Sequence, residues 1–286
     1  MQLQPSPSPS PPLHHDHDDD DPCHNLQLMK PRNLLERIVG FDKRFSLWVH
    51  EQGLGLFFYV FLRTLEFSAD GVFLIPCAAA TFLSPRAKLT PELRAFFFNL
   101  FMAFQFDLIF VSIVKQIVRR PRPEYNRGHF INVAVDRWSF PSGHSTRALM
   151  GFTFFWLYIP MWQDQAERVW VPFLVDKMQD RVIFLDRFLP TLQQLLISGI
   201  ALVVQSWAFA TTTSRIILGR HFFCDVMAGS LLGVSESIFA YYLLAVPGET
   251  VEYIHQLING FFANMESFAW RIFHERPFSV HDLTIR

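Results

Sequence analysis

Cysteine is scarce in this sequence of 286 residues, and the three that occur, Cys23, Cys77 and Cys224, lie far apart. Their spacing matches no metal-binding motif and indicates no disulfide framework, although a single bridge is compatible with it. Charged residues are also few, at 18% against roughly 25% in soluble domains. The formal net charge of −1 gives no support to nucleic-acid binding. What the sequence has instead is apolar residues, half of the chain, gathered into long blocks. A membrane protein is therefore the first interpretation.

The first 30 residues have neither the apolar segment of a secretory signal nor the Arg- and Ser-rich composition of a transit peptide. Residues 1–24 are a Pro/Ser repeat followed by a His/Asp run. Such a segment buries too little apolar surface to offset the entropy of ordering, so we predict that residues 1–30 are disordered. The HHDHDDDD stretch carries groups that bind divalent cations weakly, but a solvated tail is the favoured interpretation.

Apolar segments of nearly the length that a helix needs to cross a bilayer, about 20 residues, recur along the chain. The candidate spans lie at about 45–66, 68–84, 94–118, 145–163, 191–213 and 223–246. The first two are weak, because polar residues interrupt one and the other is short, and buried helices of a soluble protein are the alternative for both. The fold class that this pattern predicts is all-α, a polytopic membrane helical bundle with about six transmembrane helices.

The membrane domain is predicted to occupy residues 31–248, and residues 249–286 to form an amphipathic tail. This tail and the segment between the fourth and fifth spans mix apolar with charged residues, as membrane-surface segments do. Amphipathic helices packed on the protein are the alternative. Six spans place both termini on one side of the membrane. More of the Lys and Arg residues lie on that side, so the positive-inside rule favours cytosolic termini.

Polar residues are concentrated in three short clusters at span ends, within residues 115–123, 139–147 and 213–225. The span count places all three clusters at the same face of the membrane. Charged groups at the membrane edge are costly unless they are solvated, paired or used in function. The three clusters are therefore the candidate functional site.

The Lys and Arg side chains of these clusters, together with a predicted helix N-terminus, are groups that bind phosphate. Arg122 and Arg215 offer planar guanidinium groups that match phosphate oxygens, and Lys115 adds a compact charge. Ser142 and Gly143 precede a predicted helix start, where a hydroxyl and free backbone N–H groups favour an anion.

Two histidines add chemistry to this predicted phosphate site. His221 and Asp225 lie four residues apart, so on a helix they share one face. A carboxylate that accepts the Nδ1 hydrogen leaves Nε2 free to attack phosphorus. His144 comes from another loop and is placed to protonate the leaving oxygen.

Each feature alone has a simpler interpretation. His-x3-Asp is more often a surface pair. An Arg-rich loop beside a span is usually a topology signal, and Lys115 is placed to snorkel from a helix end. Ser142 is a possible helix cap. The functional interpretation depends on all three clusters lying at one face with a complete set of catalytic groups.

Taken together, the clusters resemble the three signature motifs of the type 2 phosphatidic acid phosphatase (PAP2) superfamily. The motif positions are filled by Lys115-x6-Arg122-Pro123, by Pro141-Ser142-Gly143-His144 and by Ser214-Arg215-x5-His221-x3-Asp225. The resemblance covers about residues 60–245. It implies a PAP2-like helical core and hydrolysis of phosphate from lipids through a phosphohistidine, with no metal ion and no cofactor.

The resemblance also implies roles for single residues. His221 is the nucleophile, Asp225 orients it, and His144 is the acid. Phosphate binding falls to Lys115, Arg122, Ser142, Gly143 and Arg215. The stretches 63–71 and 135–148 are most similar to the polyisoprenoid (presqualene) diphosphate phosphatase branch and to plant lipid phosphate phosphatase beta. Glu66 and Asp107 belong to this resemblance, and a structural role is favoured for both, either pairing with a cation such as Arg63 or facing water at a helix end.

The expected partners are a lipid phosphate substrate and the bilayer, with no nucleic acid. Soluble relatives use the same constellation to hold vanadate for halide oxidation, and the multiple spans argue against that function. A sugar-phosphate phosphatase and a catalytically silent membrane scaffold are the alternatives, although no motif residue is missing. The expected location is the endoplasmic reticulum with the site facing the lumen, and a plastid membrane is the alternative.

Overall fold

The computed structural model describes residues 33–52, 55–84, 89–125, 137–173 and 189–274. Within these residues all of the regular secondary structure is helical, apart from one isolated β-bridge. The predicted all-α fold is therefore confirmed. Residues 1–30, predicted to be disordered, lie outside the described residues. The α-helices are α1 (Leu34–Glu51), α2 (Leu56–Ser68), α3 (Gly71–Leu83), α4 (Pro91–Val118), α5 (Gly143–Leu157), α6 (Ile159–Gln165), α7 (Leu189–Ile217), α8 (Phe223–Phe239) and α9 (Gly248–His274), and short π-helical segments continue α6 over Ala166–Trp170 and α8 over Ala240–Leu244.

By its internal contacts the chain divides into two units, residues 1–41 and residues 42–286. The described part of the first unit is the start of α1, where the Asn33 side chain accepts a hydrogen bond from the Glu36 N–H at 2.9 Å. The second unit contains the rest of α1 and all of the other helices.

Three helices are long and apolar enough to cross a membrane, over residues Pro91–Val118, Pro190–Ile217 and Phe223–Leu244. They correspond to the third, fifth and sixth predicted spans. α2 and α3 are bent by 52° relative to each other and pass the same test only as a pair. The fourth predicted span falls on α5, of 15 residues, and on the short α6 that follows it. The described residues thus contain three candidate spans, or four with the bent pair, and the predicted count of six is not confirmed.

The first predicted span, 45–66, is wrong as a single helix. α1 ends at Glu51 and α2 begins at Leu56, so the two halves of that segment belong to different helices. The reason lies in the polar face of α1, which a hydropathy average does not reveal. Asp42 and Ser46 are buried on that face and accept hydrogen bonds from the backbone N–H groups of Cys224 and Phe223, both at 2.8 Å. Asp42 and Ser46 of α1 therefore cap the start of α8.

α5 and α8 approach each other closely because α8 has glycines on the shared face. A Cβ atom at Gly233 would lie 2.1 Å from the Thr146 carbonyl oxygen, and one at Gly229 would lie 2.5 Å from the Ser142 carbonyl oxygen. Small residues at such contacts allow helix backbones to pack tightly in membranes. This contact holds the start of α5 against the second and third turns of α8, which brings the second and third sequence clusters together.

The core continues away from the clusters as an aromatic layer between α4 and α5. Phe96, Phe104 and Phe154 are buried there together with Met150. At the far end α9, the described part of the predicted amphipathic tail, is joined to α4. There Arg94 of α4 lies 3.1 Å from the Glu252 carboxylate and 2.6 Å from the His255 ring.

Candidate active site

The residues predicted from the three clusters meet at one end of the bundle. Lys115 lies in the last turn of α4 and Arg215 in the last turn of α7, while Ser142 caps α5 and Asp225 lies in the first turn of α8. His221 lies in the short connection between α7 and α8. All five are buried although they are polar. Buried polar groups in such a number indicate a site that is used.

The His221 ring is held by the main chain of the second cluster. Its Nδ1 lies 2.7 Å from the Ser139 carbonyl oxygen and 4.0 Å from Asp225 Oδ2. A carbonyl oxygen can only accept a hydrogen bond, so Nδ1 carries the hydrogen, and in the neutral ring Nε2 carries the lone pair. The predicted partner Asp225 is close, but the groups within hydrogen-bond distance of Nδ1 both belong to Ser139, the carbonyl at 2.7 Å and the hydroxyl at 3.4 Å.

The surroundings of His221 keep its ring neutral. Burial is the main cause that lowers the pKa of His221 well below its ordinary value, and the positive charges of Arg122, Arg215 and Lys115 lower it further. A low-dielectric site disfavours the charged imidazolium, and nearby cations oppose a further positive charge. His221 is therefore an unprotonated base that faces three cations.

Asp225 holds the connection that carries His221. Its Oδ2 accepts hydrogen bonds from the Ser139 hydroxyl and, at 3.0 Å, from the Phe222 N–H. Because Ser139 also supplies the carbonyl that accepts from His221, Asp225 is linked to the histidine through Ser139.

Arg120 is a site residue that the sequence analysis missed. Its guanidinium donates to Asp225 Oδ1 at 2.6 Å and to Asp42 Oδ2 at 2.5 Å, and it stacks 4.2 Å from the centre of the Phe222 ring. Four arginine and lysine residues lie between 115 and 122, and no local pattern distinguishes Arg120 from its neighbours. Its partner Asp42 is far away in sequence, so only the fold reveals the pair.

Glu66 links the predicted phosphate-binding Arg215 to two other arginines. Its Oε1 lies 2.7 Å from Arg215 Nη1 and 3.4 Å from Arg220 Nε, and Oε2 accepts a hydrogen bond from Arg63. The pairing with Arg63 considered from the sequence is thus present, and the bond to Arg215 is an addition. A buried carboxylate among several guanidinium groups orients them and offsets part of their mutual repulsion.

The start of α5 lies in the same region and is bonded to the start of α8. The Ser142 N–H donates to the Asp225 carbonyl oxygen at 3.0 Å, and the Ser142 hydroxyl accepts from the Ser145 hydroxyl at 2.8 Å. A Cβ atom at Gly143 would lie 3.3 Å from Arg147 Nη2, so a larger residue would crowd that guanidinium. Arg147 is itself paired with the buried Asp107, 3.1 Å away.

The remaining predicted residues, His144 and Arg122, also lie at this end of the bundle. The charge of His144 acts on the His221 ring, and its Nε2 lies 3.6 Å from Asp70 Oδ2. Arg122 donates to the Arg220 carbonyl oxygen at 3.2 Å, which joins the first cluster to the third. Every residue predicted for the site is therefore near the others. The arrangement combines a neutral histidine, a second histidine and several cations, which suits attack on a phosphate ester.

Comparisons with known proteins agree with this chemistry. The PAP2 superfamily model matches residues 95–247. A probable lipid phosphate phosphatase beta of Arabidopsis thaliana is 35% identical over 181 residues, which are 63% of this chain and 77% of that protein. A PA-phosphatase related-family protein of Dictyostelium discoideum is 30% identical over 51% of this chain and 47% of its own length.

Two solved structures are similar to the chain. A PAP2-type phosphatidylglycerolphosphate phosphatase from Bacillus subtilis is 20% identical, with a TM-score of 0.47 over 72% of this chain and 85% of that one. LpxE of Aquifex aeolicus is 19% identical, with a TM-score of 0.42 over 69% and 93%.

The family model covers more than half of the chain and includes all three motif clusters. Together with the apolar helices, the match makes the chain an integral membrane protein and a phosphoric ester hydrolase. The chain belongs to the PAP2 superfamily.

Proposed function

We propose that this protein is a metal-independent phosphohydrolase that removes phosphate from lipid phosphates or diphosphates through a phosphohistidine intermediate. The observation that carries the proposal is the state of His221. Its Nδ1 hydrogen is held by the Ser139 carbonyl at 2.7 Å, and its ring is kept unprotonated among Arg122, Arg215 and Lys115. A neutral imidazole with a free Nε2, facing cations, is prepared to attack an anionic phosphoryl group.

In the first step, Nε2 of His221 forms a bond to phosphorus while the bond from phosphorus to the leaving oxygen breaks. His144 gives its proton to that oxygen, so an alcohol departs from a monoester and a monophosphate from a diphosphate. The negative charge on the phosphoryl oxygens is met by Arg122, Arg215 and Lys115. The N–H groups at the start of α5 add their dipoles.

In the second step, water attacks the phosphohistidine. His144, now neutral, takes a proton from the water, and the N–P bond breaks to release inorganic phosphate and neutral His221. The transition state of phosphoryl transfer gains mainly from positioning and charge, and the arginines of this site provide both.

A lipid is the substrate class that the surroundings favour. The long helices that carry the site expose apolar side chains along their length, among them Ile109 of α4 at 62% and Leu231 of α8 at 66%. Such a surface is stable in hydrocarbon, and the site lies at the ends of these helices. A lipid phosphate with its tail in the bilayer therefore presents its headgroup at the level of the site. Phosphatidic acid and isoprenoid diphosphates are the proposed substrates.

The decisive experiment is phosphate release by protein purified in detergent, with chelator present. Phosphatidic acid, farnesyl diphosphate and glucose 6-phosphate are compared for the wild type and for His221→Ala. We expect lipid hydrolysis that survives the chelator and is lost in the variant, and the ratio between the two lipids identifies the branch. Inhibition by chelator that magnesium reverses contradicts the metal-independent mechanism.

The intermediate has its own test. Brief reaction with a radiolabelled lipid phosphate, followed by denaturation, is expected to leave label on the wild-type chain. This label is released by acid but not by alkali, as expected for a phosphohistidine. His221→Ala should retain no label. Label that resists acid contradicts the phosphohistidine.

Other outcomes favour other functions. Activity on glucose 6-phosphate without activity on either lipid favours a sugar-phosphate phosphatase. Equal inactivity of wild type and variant on all three substrates favours a membrane scaffold. For location we propose the endoplasmic reticulum with the site in the lumen, or alternatively a plastid membrane. Glycosylation acceptors inserted next to residues 126–136 report which side of the membrane carries the site.

A further inference from the structure

The break between α2 and α3 places a carboxylate against His144. α2 ends at Ser68 and α3 begins at Gly71, with Asp70 between them as the N-cap of α3. One carboxylate oxygen, Oδ1, accepts the Val72 N–H at 2.9 Å, and the other, Oδ2, lies 3.6 Å from His144 Nε2. The cap hydrogen bond fixes the carboxylate, with its second oxygen within ion-pair distance of the buried ring nitrogen but beyond hydrogen-bond distance.

His144 lies among charges of both signs. The guanidinium groups of Arg215 from α7 and Arg147 from α5 act on its ring, as does the His221 ring. Two carboxylates oppose them, Asp70 and Glu66 of α2. Glu66 is engaged with arginines, whereas Asp70 Oδ2 lies 3.6 Å from the ring nitrogen Nε2.

The chemistry of His144 requires such a partner. A general acid must carry its proton before the leaving group departs, whereas burial and, after it, the charges of Arg215 and Arg147 lower the pKa of His144 to about 3. The side chain of His144 is only 15% exposed, so water stabilises its charge weakly. A carboxylate beside one ring nitrogen stabilises the imidazolium and orients the ring.

We infer that Asp70 is a positioning residue for the acid–base histidine His144. This inference rests on the proposed function. Asp70 stays ionised, stabilises the imidazolium and holds Nε2, which leaves Nδ1 to give its proton to the leaving oxygen as the phosphorus–oxygen bond breaks. The proton ends on the departing alcohol or monophosphate, and neutral His144 remains. The site then has two histidine systems, one held by Ser139 and Asp225 and the other by Asp70.

Asp70 also caps α3, and this structural role can be separated from the proposed one. Asn and Ser cap helices about as well as Asp does, so Asp70→Asn and Asp70→Ser keep the cap and remove the charge. The matched control is Thr90→Val, which removes the N-cap of α4, where Thr90 Oγ1 accepts the Leu93 N–H at 3.3 Å. That cap is remote in sequence from every residue assigned to the site.

The test compares two leaving groups in the full-length protein. Phosphatidic acid releases an alcohol that needs a proton, whereas p-nitrophenyl phosphate releases a stable phenolate that does not. General acid catalysis is worth about 10²–10⁴-fold, so we expect Asp70→Asn to lower kcat for phosphatidic acid about 10- to 100-fold with little change in KM. With p-nitrophenyl phosphate the loss should be less than about 3-fold, because the transferred proton contributes little there. Each variant is compared with the wild type on the same substrate, so the wild type's own preference between the two substrates cancels.

A second readout uses the lipid alone. If Asp70 acts through His144, Asp70→Asn in a His144→Ala background should cause no further loss, whereas independent roles multiply. Asp70→Ser repeats the measurement if the Asn variant purifies poorly. Equal losses on both substrates, a further loss in the double variant, or full activity of both Asp70 variants overturn the inference. A wild type that is inactive on lipid overturns the proposed function as well, and this result is distinct from an active wild type with insensitive variants.

Discussion

The Arg120 guanidinium joins two buried carboxylates, with Nη1 2.6 Å from Asp225 Oδ1 and Nη2 2.5 Å from Asp42 Oδ2. Asp225 and Asp42 are 0% and 1% exposed, so neither charge is stabilised by bulk water. One carboxylate is linked to the proposed nucleophile through Ser139, and the other lies on α1. Arg120 therefore joins Asp42 of α1 to the first turn of α8.

Replacing Arg120 with Gln should impair both stability and activity. Removing one partner of a buried ion pair costs about 3–5 kcal/mol because the other charge is left without compensation. We expect a lower melting temperature in detergent and a kcat reduced by at least about tenfold, since Asp225 no longer holds Ser139 rigidly. Arg120→Lys should recover part of the activity, because one of the two carboxylates regains a cation.

The adjacent Arg119 is the matched control for this prediction. Its side chain is exposed and donates to the Gln116 carbonyl oxygen at 2.7 Å. Arg119→Gln should change the melting temperature and kcat little, because exposed charges contribute about 0–1 kcal/mol. Equal effects of the two substitutions would show that only the basic character of this segment matters.

A methyl group at Gly233 should disrupt the bundle. The added Cβ would lie 2.1 Å from the Thr146 carbonyl oxygen, and backbone atoms cannot move aside as a flexible side chain does. We expect Gly233→Ala to lower the melting temperature by an amount that corresponds to at least about 1–3 kcal/mol, and to reduce activity because α5 and α8 carry opposite parts of the site.

Gly199 of α7 is the control for Gly233, because a Cβ atom there meets nothing within 4 Å. Alanine is favoured over glycine in a helix by up to about 1 kcal/mol, so Gly199→Ala should leave the melting temperature unchanged or raise it. The melting temperatures of both variants and of the wild type are measured in the same detergent and compared. Equal stability of the two proteins would contradict the close approach of α5 and α8.

The long helices and the composition of the site follow from local sequence. Apolar runs of sufficient length predict α4, α7 and α8, because the cost of unpaired backbone groups in lipid leaves few alternatives to a helix. The motifs predict which residues meet, because the first and third lie at the ends of these helices and the second lies at the start of α5. A helix boundary inside a mostly apolar segment is harder to predict, as the first predicted span shows, where α1 ends at Glu51 and α2 begins at Leu56. A hydropathy average merges the apolar face of α1 with α2, although Asp42 turns the other face of α1 towards the protein.

The sequence predicts which residues form the site better than it predicts the hydrogen bonds and ion pairs among them. Four-residue spacing placed Asp225 beside His221, but the hydrogen bond of Nδ1 goes to the Ser139 carbonyl, and every residue has a carbonyl. Sequence patterns carry no record of which main-chain group a side chain will reach. Asp42 and Asp70 escaped the sequence analysis for a related reason, since each is a single acidic residue whose partner comes from a distant helix.

Glu66 should matter more for activity than Arg63, one of its three arginine partners. Glu66→Gln removes the charge that holds Arg215 at 2.7 Å, and hydrogen bonds to charged groups are worth about 1.5–3 kcal/mol. We expect kcat/KM for a lipid phosphate to fall about 10- to 150-fold, because Arg215 is no longer oriented towards the phosphoryl oxygens. The Arg63 side chain is 40% exposed, so Arg63→Gln should lower kcat/KM by less than about fivefold. A larger loss for Arg63→Gln than for Glu66→Gln would reverse this assignment.

The low pKa of His221 predicts how activity depends on pH. Burial and the cations of Arg122, Arg215 and Lys115 hold this pKa well below the ordinary value, so the ring stays unprotonated when an exposed histidine, with a pKa of about 6.5, is already charged. Only the unprotonated ring attacks phosphorus, so the acid limb of kcat/KM due to the enzyme should lie clearly below pH 6.5. The unfolded chain takes up this proton near pH 6.5 and the folded chain does not, so the free energy of unfolding should also decrease as the pH falls below that value.

The measurement behind this prediction is kcat/KM from pH 4.5 to 8 at constant ionic strength, with the substrate's own phosphate ionisation, near pH 6, determined separately and divided out. The variant Arg122→Gln tests the direction in which the charge of Arg122 shifts the pKa of His221. Losing a cation should raise the pKa of His221 and move the acid limb to higher pH, in addition to weakening substrate binding. An acid limb at or above pH 6.5 in the wild type, or a limb that moves to lower pH in Arg122→Gln, would show that His221 is not the group whose protonation limits the reaction.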